Sequence, residues 1–315
     1  MTDRDVPDRV AALIGECQSL IASSGMVDVD NIRIPAESLP SLLEQCRDIT
    51  ATVDTVLEPI RLLHHFACTG GTLISKCVAS MPNIQLLSEV APYSRMDAGR
   101  PTAFVPTDLI RLLRRSSQGS DEGLELEVFL RGIDSIFRRC SRTGARLVIR
   151  EHCHSKYCVG EAVMETPGLA TSLASEYQVR SVVTVRHPLD SYLSLLERGW
   201  ANFTPGLLDE YSKRYLAFID DHEGSPLVRY EDFVADPAPV MQTICNDLEL
   251  AFASGFEDTF SVHRLSGDSG RASPTIGRRA RRVIPDEVGE QLDAPHFRKL
   301  CERLGYEATA VPGND

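Results

Sequence analysis

Three clusters of residues have the types and spacing to do chemistry on an anion. The first is His64-His65-Phe66-Ala67-Cys68-Thr69-Gly70-Gly71-Thr72-Leu73-Ile74, an apolar run that meets two glycines and then a helix start. Glycine permits backbone conformations that other residues resist, so several N–H groups of such a turn can point at one anion. The helix N-terminus adds partial positive charge, and the hydroxyls of Thr69 and Thr72 add donors. The second is Arg186-His-Pro-Leu-Asp-Ser-Tyr-Leu-Ser194. Its guanidinium binds phosphate through two donors, and the competing role is a salt bridge at a helix start. The third is Arg150-Glu-His152-Cys-His154. Histidine suits general-base work near neutral pH, although a hydrogen-bonded structural histidine is equally compatible with the pattern.

Two other chemistries fit poorly. His152, Cys153, His154 and Cys158 invite a zinc site. Adjacent ligands on an extended strand point to opposite faces, however, and the chain has no Cys-x-x-Cys. No metal is expected. A Walker A loop is also missing, and the apolar run 182–185 ends in Arg186, not in an aspartate for Mg²⁺. Nucleoside-triphosphate chemistry leans on both features.

The Arg186–Ser194 segment resembles the second signature of the sulfotransferases that use 3′-phosphoadenosine 5′-phosphosulfate (PAPS). In that signature a strand ends in Arg, Pro and Asp follow, and a Ser lies eight residues after the Arg. The resemblance implies that Arg186 and Ser194 hold the 3′-phosphate. The glycine turn is then similar to the family's 5′-phosphosulfate loop, usually Lys or Arg, Ser, Gly, Thr, Thr. Without gaps, Cys68 takes the basic position, Thr69 the Ser, Gly70 the Gly and Gly71-Thr72 the Thr pair, with Leu73 next. A one-residue shift puts Thr69 at the basic position. Either way the loop lysine is missing. Lys76 lies four residues after Thr72 on the same helix face, and helical side chains lean toward the N-terminus, so it is a candidate to reach back.

Arg229-Tyr230-Glu231-Asp232-Phe233 resembles a further family segment, which implies that Tyr230 lies near the adenine. Arg150 and His152 match a basic residue followed two later by a histidine, which implies His152, or else His154, as the base. Ser266–Arg271 is similar to a basic, Gly-containing segment that closes over the 3′-phosphate, with Arg271 the matching residue. The resemblance covers roughly residues 61–285. It implies PAPS as donor, the bisphosphate PAP (adenosine 3′,5′-bisphosphate) as product, and a hydroxyl or amine of a small-molecule or glycan acceptor. Two alternatives stay open: a catalytically silent nucleotide-binding protein of the same fold, and an ATP-dependent kinase.

The elements that must position these residues follow from hydrophobic period. Short apolar runs at 62–67, 146–149, 182–185 and 226–229 read as buried strands. Helical spacing is seen at 72–80, 107–116, 121–141, 166–178, 206–222, 237–248 and 287–304, and after Pro188. Alternating strands and helices predict an α/β domain over 59–315 with a parallel sheet covered on both faces, which the resemblance implies is of P-loop type. Residues 8–21 and 36–57 predict a helical pair, making 1–58 an N-terminal extension that packs on the main domain or on a second subunit in a homodimer.

Charge and composition narrow the partners. Net charge is −12 over 315 residues, which disfavours nucleic acid. Residues 1–58 hold eleven acids and four arginines, whereas 261–285 hold six arginines (264, 271, 278, 279, 281 and 282) against Asp268. Such a basic cluster suits a clamp for a small polyanion, a partner surface or a solvated loop. No stretch of eighteen apolar residues predicts a membrane span, and the first residues carry no secretory pattern. Nine scattered cysteines suggest reduced thiols and a cytoplasmic location.

Overall fold

The computed structural model describes residues 15, 16, 19, 20, 23, 41, 58–96, 106–267 and 275–308. The chain forms two compact units, Met1–Val56 and Leu57–Asp315. The helical pair expected in residues 1–58 falls largely outside the described residues.

In the second unit the elements are β1 (Ile60–His65), α1 (Gly71–Ala79), β2 (Ile84–Val90), α2 (Leu109–Arg114), α3 (Glu122–Arg142), β3 (Arg146–Glu151), α4 (His154–Tyr157) and β4 (Val159–Gly160). They continue with α5 (Leu169–Ala174), β5 (Val179–Val185), α6 (Pro188–Glu197), β6 (Asn202–Phe203), α7 (Leu208–Asp221) and β7 (Leu227–Arg229). The last are α8 (Tyr230–Ala235), α9 (Pro237–Asp247), α10 (Phe256–Thr259), α11 (Asp286–Gly289) and α12 (Pro295–Leu304). Five strands form one parallel sheet in the order β2-β3-β1-β5-β7. Among the described residues no helix is long and apolar enough to cross a membrane.

Strand β1 lies at the centre and is buried along its whole length. Side chains alternate across a strand. Ile60 and Leu62 therefore pack with Ile133 and Phe137 of α3 and Leu169 and Leu173 of α5, while Leu63 packs with Leu73 and Ile74 of α1 and Phe233 of α8. A third cluster joins Phe66, Leu189 and Leu193 to Tyr211 and Tyr215 of α7 and Phe297 of α12. Helices thus cover both faces, and removing one such side chain, for example Leu63→Ala, costs roughly 2–5 kcal/mol.

The longer elements differ from the hydrophobic pattern most clearly as follows, alongside several short elements that it did not mark. The helix expected over 166–178 spans only Leu169–Ala174. The helix expected over 287–304 is broken into α11 and α12, because Pro295 has no N–H for an interior helical bond and suits a first turn instead. Strand β2 was not expected at all. It is a half-buried edge strand with a register shift between Leu87 and Val90, so neither a continuous apolar run nor strict alternation marks it.

Candidate functional site

The site lies where β1, β3, β5 and β7 end, the place at which an open parallel sheet leaves a crevice. A cavity of about 360 Å³ opens there. Its lining includes Cys68, Gly70, Gly71, Thr72 and Leu73 after β1, Arg150, His152 and His154 at β3, Arg186 and Ser194 at β5, and Tyr230 at β7. Residues spread over more than 160 positions of the sequence are therefore gathered in one crevice. Thr69 is fully buried beside them, its hydroxyl donating to the Phe66 carbonyl at 2.8 Å. It supports the turn from below and does not line the cavity.

The turn after β1 depends on both glycines. Gly70 is the N-cap of α1 with φ 92°, a left-handed conformation, and a Cβ there would run into the Tyr230 ring. A Cβ on Gly71 would come within 2.5 Å of the His65 ring. His65 is buried under the turn, with Nδ1 against Thr184 Oγ1 and Nε2 3.3 Å from Ser75 Oγ. Cys68, just before the turn, also has positive φ (63°). Burial pushes its thiol up to about 11 despite nearby Arg186, Arg198 and Arg282, so it is no thiolate nucleophile near neutral pH.

Lys76 does not reach back into the cavity. It is buried in α1, does not line the crevice, and exerts its charge on His263. The cations that do line the crevice are Arg150, Arg186, Arg198, Arg279 and Arg282.

At the β5 end, Arg186 Nη1 donates to the Cys68 carbonyl at 3.3 Å and to Ser194 Oγ at 3.4 Å. Its guanidinium stacks over the Tyr230 ring at 5.0 Å. Arg282 Nη1 donates to the same Ser194 Oγ at 2.6 Å, and Arg281 pairs with Asp190 at 2.8 Å. The arginine-rich segment thus docks on the helix that carries Ser194. Arg271 lies outside the described residues, whereas Arg282, which the sequence left without a specific role, enters the site. Glu231, beside Tyr230, accepts the His187 N–H at 3.0 Å and the Tyr306 hydroxyl at 2.7 Å. It thereby holds the turn that follows Arg186.

At the β3 end, His152 and His154 both line the cavity, with ring centroids 6.1 Å apart. Burial lowers the proton affinity of both. For His154 the value falls to about 4, with His152 a smaller second cause. For His152, Glu89 and Glu151 oppose the burial effect and Arg150 adds to it. Glu89, which the sequence did not single out, also lines the cavity. Its carboxylate lies 2.7 Å from Arg150 Nη2 and 3.3 Å from His152 Nε2. It sits in the irregular stretch of β2 with φ 63°, an uncommon value for a residue with a side chain. Gly267 closes over this corner: its carbonyl accepts the Thr72 hydroxyl at 3.3 Å, and a Cβ on it would collide with Glu89.

The crevice therefore joins a glycine turn suited to one anion, an arginine pair on a serine suited to another, and two histidines facing the same space. No family model matches the sequence, and no curated protein matches it. Solved structures do match. The sulfotransferase domain from the Synechococcus PCC 7002 olefin synthase is 17% identical over 79% of this chain and 95% of that chain, with TM-score 0.50. The sulfotransferase domain from the curacin biosynthetic pathway is 14% identical over 80% of this chain and 99% of that one, with TM-score 0.48. From the order of its parallel strands to the helices on both faces, the described α/β unit has the fold of a sulfotransferase domain.

Proposed function

We propose that this chain transfers a sulfuryl group from PAPS to a hydroxyl or amine of a small-molecule or glycan acceptor. One observation carries this: the Gly70–Thr72 turn and the Arg186–Ser194–Arg282 cluster open on one cavity. PAPS carries anions at both ends, and the two clusters suit its 5′-phosphosulfate and 3′-phosphate. Tyr230 packs between Gly70 and Arg186 and in this reading flanks the nucleoside.

The residues divide the work as follows. The opening N–H groups of α1 and the Thr72 hydroxyl hold the phosphosulfate. Neutral His152 takes the acceptor proton, with Glu89 orienting the ring through Nε2 and leaving Nδ1 as the proton acceptor. His154, whose proton affinity burial pulls down to about 4, is the other candidate base. The acceptor oxygen or nitrogen bonds to sulfur, the bond from sulfur to the bridging oxygen breaks, and PAP leaves with that electron pair. Arg150 and the other cavity arginines supply positive charge in place of the absent lysine. A cytoplasmic location goes with this proposal, and the seven described cysteines, all free thiols, support it.

One observation favours a second reading, a silent nucleotide-binding protein. Neither a loop lysine nor Lys76 reaches the crevice. Calorimetric titration with adenosine 3′,5′-bisphosphate, against ATP with Mg²⁺, tests both readings. Tight binding of the bisphosphate alone supports the donor assignment. Labelled-sulfate transfer from PAPS to a panel of hydroxyl and amine acceptors then separates enzyme from silent binder. Preference for Mg²⁺–ATP would overturn both.

A further inference from the structure

In the cavity wall lies a carboxylate that the proposed reaction does not use. Glu151 ends β3, next to His152, and its side chain is buried. A buried carboxylate is costly unless donors replace its water. Here the donors come from several parts of the chain. His64 Nδ1 of β1 lies 2.5 Å from Oε2, Cys153 Sγ donates to the same oxygen at 3.7 Å, and the Leu169 N–H of α5 donates to Oε1 at 3.0 Å. His222, just past α7, places Nε2 at 3.5 Å. Burial by itself would push the Glu151 carboxyl up. The hydrogen bonds from His222 and His64 more than reverse this and hold it well below the usual carboxylate range.

We propose that Glu151 is a positioning residue: its buried carboxylate ties the end of β3 to β1, α5 and the end of α7, and so fixes where His152 meets Glu89. The backbone carries this tie to the site. Glu151 pairs with Val90 across the sheet, and the His152 N–H donates to the Val90 carbonyl at 2.9 Å. Glu89, one residue before Val90, is thereby set opposite His152. The fixed negative charge has a second effect. The charged and titratable groups acting on His152 are Glu89 from β2, Arg150 and Glu151 from β3, and the neighbouring His154. Glu89 and Glu151 favour its protonated form, and Arg150 opposes it. Glu151 thus keeps His152 a stronger base than burial alone would leave it. His64, neutral because burial lowers its proton affinity, donates through Nδ1 while Ser181 Oγ lies 3.1 Å from Nε2.

The inference rests on His152 as the proposed base, but its test needs neither donor nor acceptor. Imidazole resonances of the full-length chain are followed by NMR against pH, in the wild type and in Glu151→Gln. His152 should titrate at lower pH in Glu151→Gln, with bisphosphate affinity unchanged because Arg186, Ser194 and Arg282 do not touch Glu151. An unchanged His152 titration in a folded Glu151→Gln protein overturns the proposal. If that variant fails to fold, the wild type decides. Neutral His64 protonated at Nδ1 near pH 7 supports the hydrogen-bonded carboxylate. The opposite tautomer, or stoichiometric zinc in the purified protein bound through His64 and Cys153, overturns it. Failure to bind the bisphosphate would instead strike the proposed function and leave the His152 shift standing.

Discussion

Arg186 and Arg282, 96 positions apart in the sequence, converge on one hydroxyl. Both donate to Ser194 Oγ, at 3.4 Å and 2.6 Å. Two like charges are brought together at the end of β5 by a single neutral acceptor. Arg282 also pairs with Glu197 at 2.6 Å, so an anion arriving beside Ser194 would meet the Arg186 charge and share Arg282 with that carboxylate.

The first prediction concerns this pair. Arg186→Ala and Arg282→Ala should each weaken adenosine 3′,5′-bisphosphate binding by about tenfold or more, the worth of roughly 1.5–3 kcal/mol for a hydrogen bond to a charged group. Arg298→Ala, which removes an exposed ion pair with Asp293, should leave affinity unchanged. Calorimetry on the three variants checks this. Equal affinities in all three would remove the 3′-phosphate assignment.

The turn after β1 gives a second. Gly70→Ala demands a left-handed alanine and drives its methyl into the Tyr230 ring. The cost is about 1–3 kcal/mol. Thermal unfolding should report a lower midpoint, and bisphosphate affinity should fall as Tyr230 and Arg186 are displaced together. An unaltered midpoint would show that the turn is not as tight as described.

Proton transfer supplies the third. His152→Ala should retain the bisphosphate and lose roughly 10²–10⁴ in transfer rate, while His154→Ala should lose less. Glu89→Gln should resemble a weaker form of His152→Ala. Full activity in His152→Ala, with an acceptor in hand, would move the base elsewhere.

Stability against pH provides the fourth. His154 has its folded-state value pulled down to about 4 by burial, from 6.5. The unfolded chain therefore takes up the proton first as pH falls. The stability tied to neutral His154 is fully present above about 6.5 and is lost progressively between 6.5 and 4. His154→Asn should lose less stability than the wild type between pH 7 and pH 5 in urea unfolding. A parallel loss in both proteins would contradict the buried, neutral assignment.

A lower window belongs to Glu125. Its hydrogen bond from Arg114, helped by Ser120 and opposed by burial, holds the carboxyl at about 2, against 4.5. Its contribution is present above about 4.5 and is lost as pH falls toward 2. Glu125→Gln should be less stable at neutral pH and should converge with the wild type in acid, as acid-unfolding curves will show.

Much of the site is legible in the sequence because its signals are local. Two glycines between an apolar run and a helix start mark the turn at 70–72, and the spacing of Arg186 and Ser194 places one at the end of a strand and the other on the helix that follows. The apolar runs at β1, β3 and β5 mark largely buried parallel strands, since such strands bury both faces and need no alternation, whereas β7 is an edge strand with Leu227 exposed. Tertiary structure alone decided the rest. Glu89 reaches the site from an edge strand whose half-exposed pattern and irregular register carry no period. Arg282 meets Ser194 across 88 positions, and Glu151 is satisfied by histidines from β1 and from beyond α7. Such contacts depend on how the chain is folded back on itself, and neither propensity nor spacing encodes which distant donor will answer a buried charge.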